Sequence, residues 1–254
     1  MTEEIGDDRP KIADIAVPMG VVATFAALLM LASAGFGYQM DLWSFMTGFT
    51  ILGVSAWLGL GAAVVSLVGA YFARTLPSRG RMSIAIGAAI LAVAVAVVPW
   101  QWNQTVYKLP FIHDISTNTD DPPLFVALLA ARAESPNTSD YGGAEVAAQQ
   151  KAAYPDIQPV ILDLSADEGF RRAEAAVRRL GWDVVALITT EGRIEATDTT
   201  FWFGFKDDIV VRVRPIEGEP GRSRIDARSV SRVGLSDVGA NANRLRAFTA
   251  LLTD

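Results

Sequence analysis

The sequence predicts an α+β protein: three N-terminal transmembrane helices, then an antiparallel sheet domain with helices packed on one face. Three observations carry that reading. All but five of the 22 Lys and Arg residues, and all but six of the 28 acids, lie after residue 102. Three long apolar runs fill the charge-poor part. The charged part holds short alternating segments separated by turn formers and flanked by helical patterns. After a short tail at 1–12, two parts suited to two solvents follow: a lipid part at 13–102 and an aqueous domain at 103–254.

The first apolar run, 15–38, exceeds the ~20 residues that cross the hydrocarbon. It is too long for a signal-peptide core and lacks a well-placed small-x-small cleavage site, so it is expected to be retained. The second, 45–72, repeats small residues every four positions: Ser55, Gly59 and Ala63, and again Ala62, Ser66 and Ala70. Such stripes let helix backbones approach closely in lipid. Packing inside the same chain is the ordinary use; a homodimer or membrane-protein partner on Ser55, Gly59 and Ala63 is the alternative. The third run, 82–100, is expected to stop near Pro99. No ionisable residue lies inside the second or third run, which argues against transport.

Arg9, Lys11, Arg74, Arg79 and Arg81 flank the spans on one side, and the 39–44 turn carries no base. The positive-inside rule then places the N-terminus in the cytoplasm and everything after the third span on the far side of the membrane. Tyr38, Trp43, Trp100, Trp102 and Tyr107 would form the outer aromatic belt.

The aqueous domain carries most of the net charge of −6. It lacks the basic footprint of a nucleic-acid binder, and its arginines alternate with acids rather than forming a polybasic lipid patch. With no cysteine and one histidine, thiolate sites, disulfides and two-histidine metal motifs fall away. No cofactor or metal is expected.

After a proline-rich extended loop at 109–123, helical pieces are predicted at 125–133 and 143–153, then a strand at 160–164. Ser165 with Glu168 makes a capping box. Phe170, Ala173, Val177 and Leu180 form the buried face of that helix, and Gly181 ends it. Strands follow at 182–189, 193–202, 209–214 and 224–233, joined by successive hairpins, and a closing helix begins near Ser236 or Asp237.

Several segments together resemble the bacterial membrane family filed as domain of unknown function family 1499. They are HDIST at 113–117 with Pro122, Pro123 and Phe125, Tyr141-Gly142-Gly143, AAQQKAAYPDI at 147–157, GRIEAT at 192–197, WFGFKDD at 202–208 and RSVSRVG at 228–234. Asp237, Gly239 and Asn241 complete the pattern, over about 109–252. The resemblance implies a fold and a membrane topology, a bacterial inner membrane with the C-terminal domain on the periplasmic side, and no established activity.

His113-Asp114 has the form of a base with its orienting carboxylate, though no nucleophile elbow accompanies it; loop capping or anchoring is the structural alternative. Asp207 and Asp208 read as a solvated turn with Lys206 as counter-charge, rather than a hard-cation site. Arg212, Arg214, Arg228 and Arg232 read as a cross-strand salt ladder on a wet sheet face, or as a grip for a phosphate or carboxylate. Ser229 and Ser231 point toward the helices and need partners, which Asn241 or Asn243 would supply. Trp202, Phe203 and Phe205 around Gly204 are costly to leave in water. They bury in the core, dip into the membrane interface or grip a partner. The function expected is a membrane-anchored binding or accessory module for a protein partner or lipid, with a small membrane-surface hydrolase or lipid-modifying enzyme as the alternative.

Overall fold

The computed structural model describes residues 9–74 and 79–253. The expected tail at 1–12 and the turn at 74–81 fall partly outside those residues. The chain forms two compact units, one up to Gln104 that also includes Trp202–Gly204, the other made of Thr105–Phe201 and the chain from Phe205 onward.

The first unit holds α1 (Arg9–Gln39), α2 (Phe45–Ala73) and α3 (Arg79–Val106). All three are long and apolar enough to cross a membrane. Ser44 caps α2, its side chain accepting from Thr47 N. Small residues line the helix contacts. A Cβ added to Gly59 would meet the Ala92 carbonyl, and Ser55 and Ala63 are buried. The Thr24 hydroxyl donates back to the Gly20 carbonyl at 2.8 Å, which satisfies it away from water. Arg81 and Asp14 pair between α3 and α1. Pro99 does not end the third helix as expected: it sits inside α3, which runs on to Val106. Losing one donor is tolerated in apolar helices of this kind. At 28 residues, α3 is about 42 Å long, enough for the hydrocarbon and both headgroup layers.

The second unit is a six-stranded sheet in the order β1-β6-β5-β4-β3, with β2 also on β6. Its strands are β1 (Asp114–Ser116), β2 (Val160–Leu162), β3 (Asp183–Ile188), β4 (Arg193–Thr199), β5 (Lys206–Ile216) and β6 (Glu219–Ser231), all antiparallel to their partners. One face packs against α6 (Ala166–Arg179) and α7 (Ala240–Thr253), burying Phe170, Val177, Ile209, Val211, Leu245 and Phe248 in one core. The α6 capping box forms as the sequence predicts, and Gly181 ends the helix with φ +74°.

Three differences from the sequence reading bear on function. The 113–117 stretch, read as loop, contains β1. Its Ser116 N–H and carbonyl are both met by the Gln150 side chain of α5 (Gly143–Ala153), at 2.9 and 2.6 Å. The helix expected at 125–133 shrinks to α4 (Leu129–Arg132). The second face of the sheet is not wet: residues 117–141 lie over it, and Phe125 and Leu128 pack there on Val210 and Val230.

Candidate functional site

Alternation along a strand sends successive side chains to opposite faces, and β5 shows the consequence. Asp207 and Asp208 are strand residues, 3% and 0% exposed, not the solvated turn expected. Asp208 faces the covering segment. Its carboxylate accepts from Arg132 at 2.7 Å, Thr197 at 2.7 Å and Arg232 at 2.8 and 2.9 Å. Burial alone would raise its pKa, but the bonds from Arg232, Thr197 and Arg132 hold it below the ordinary carboxylate value. Asp207 faces the helices and accepts from Arg244 at 2.8 Å. Lys206 is exposed and is the counter-charge of neither.

The arginines read as a cross-strand ladder do pair across strands, Arg212 and Arg214 with Asp226 and Arg232 with Asp208, but residues 117–141 cover that face and Arg212, Arg214 and Arg228 also pin them. Arg228 is fully buried and meets Asp114 at two points, the Pro123 carbonyl at 3.3 Å and the Ser139 carbonyl at 2.9 Å. The rings of Phe125 and Tyr141 each lie 5.4 Å from its guanidinium, within cation–π range. Burial first, then the charge of Asp114, pushes the Tyr141 hydroxyl up to about 12. Arg212 and Arg214 both reach Asp226 at 2.9 Å, and both also reach Asp121. Arg232 ends on Asp208.

The sequence did not single out Glu195, Arg132 or Arg244, which complete this network together with Asp226, the acid that stands between the alternating arginines. Glu195 is fully buried, and its carboxylate accepts the backbone N–H groups of Val126, Ala127 and Leu128 at 3.0, 3.0 and 2.9 Å. Arg193 supplies its counter-charge. A lone acid inside an alternating strand is the only sequence signal there, since its partners are backbone groups. On the helix side, Ser229 bonds Asn241 at 2.6 Å and Asn241 bonds Ser231 at 2.9 Å, so Asn241 rather than Asn243 fills the expected role. Asp237 starts α7 by accepting from Gly239 and Asn241, and burial outweighs those bonds to raise its pKa.

His113 and Asp114 do not meet. Asp114 is committed to Arg228 on one face, while His113 Nδ1 lies 3.5 Å from the Leu235 carbonyl. The imidazole therefore has no orienting carboxylate from its neighbour in sequence.

The aromatic turn behaves differently from the charged residues. Trp202, Phe203 and Gly204 belong to the helical unit. Trp202 Nε1 donates to the Ala32 carbonyl at 3.1 Å, and Gln39 donates to the Trp202 carbonyl at 2.7 Å. Phe203 is 2% exposed, its ring 5.4 Å from Phe49, 6.3 Å from Trp102 and 6.4 Å from Tyr38. Gly204 takes φ +65°, and a Cβ there would press on the Gln39 side chain. Phe205 closes the turn on the sheet side, where its N–H bonds Thr200 Oγ1 at 2.9 Å.

Among the described residues, no three His, Cys, Asp or Glu side chains converge to hold a metal ion. A family model described as protein of unknown function (DUF1499) matches residues 114–252, beginning five residues later than the resemblance read from the sequence. No curated protein and no solved structure matches the chain.

Proposed function

The chain belongs to the DUF1499 family of proteins of unknown function over residues 114–252, and on that premise we propose a membrane-anchored binding or accessory module that holds a protein partner or lipid. Its helices span a bacterial inner membrane with the N-terminus in the cytoplasm, and its sheet domain works on the periplasmic side. The observation that carries this reading is the fate of the charged candidates. Asp114, Asp207, Asp208, Arg212, Arg228 and Arg232 are all engaged with partners inside the protein. A catalytic acid or base must reach the substrate proton within hydrogen-bond distance, and these groups are tied down as braces. His113 and Asp114, the pair the hydrolase alternative would use, face different partners.

The covering segment also carries apolar side chains on its outside: Leu124, Val126 and Leu129 are exposed, and exposed apolar surface supports a binding role. The arrangement of bases supports the orientation, because Arg74, Arg79 and Arg81 gather at one end of the spans.

His113→Ala separates a module from an enzyme. The module reading expects the variant to fold and to keep its physiological role in complementation. Loss of that role in a normally folded, normally abundant protein would return the reading to hydrolysis. Alkaline phosphatase fused after Asp254 tests the placement: activity is expected, and a fusion active only as a cytoplasmic reporter would overturn it.

A further inference from the structure

We draw no further inference here: the strongest candidate, the outer edge of β3 at the end of the sheet, where Val185 stands 50% exposed at a bulge, carries nothing because no contact among the described residues shows what covers it.

Discussion

Arg228 and Asp114 face each other across β6 and β1 as a two-point ion pair, Nε to Oδ1 at 2.8 Å and Nη2 to Oδ2 at 2.7 Å, with both side chains withdrawn from water. Removing one partner strands the other charge. Asp114→Asn should therefore cost roughly 3–5 kcal/mol of domain stability, seen as a large drop in Tm of the full chain in detergent. Arg228→Met with Asp114→Leu should recover part of that loss. Recovery stays incomplete because the Pro123 and Ser139 carbonyls lose their donor.

Glu195 holds the start of the covering segment by accepting three successive N–H groups. Glu195→Gln keeps the shape but turns an amide donor toward backbone donors. The expected cost is about 1–3 kcal/mol, the penalty of buried unsatisfied groups. Limited proteolysis is the direct readout, with new cleavage between residues 117 and 141 and an otherwise resistant domain.

The helix register, the α6 capping box and the Ser229–Asn241–Ser231 cluster were legible in the sequence because each is local or follows strict alternation. Asp207 and Asp208 were not. Two acids after an aromatic-glycine turn read as solvent, and only a sheet covered on both faces buries both sides of β5. The arginines carried a correct spacing and a wrong environment for the same reason: nothing in residues 117–141 announces that they lie over a sheet. Glu195 bonds backbone groups, which leave no sequence pattern. Pro99 reads as a stop by soluble-helix rules, and α3 passes through it.

Acid should loosen the domain through Asp208. Its pKa is lowered on folding, so its contribution is fully present above the unfolded carboxylate value and is lost as pH falls through the folded one. Asp208→Asn should lower stability at neutral pH and flatten that acid limb. Asp237 works with the opposite sign. Its pKa is raised, so its contribution is full below the unfolded value and fades as pH rises through the folded one. Asp237→Asn should remove that fade while keeping a side-chain oxygen for the α7 cap. Tm measured against pH for both variants separates the two slopes.

Phe203 is the buried centre of the aromatic turn. Phe203→Ala should destabilise the helical unit by about 3–5 kcal/mol, as large-to-small changes in packed aromatic sites do. Trp202→Phe, which keeps an aromatic ring but removes the bond to the Ala32 carbonyl and trims the ring that meets Trp102 and Phe203, should cost less, about 1–2 kcal/mol. A thermal melt in detergent that ranked the two equally would place the value of the turn in hydrogen bonding rather than packing.

Native mass spectrometry of the full chain, gently extracted from its own membranes, tests the central claim most directly. A binding module whose charged residues are internal braces should leave the membrane carrying a stoichiometric protein or a discrete lipid. A folded chain that flies alone, with neither attached under conditions that preserve known membrane complexes, would contradict the account.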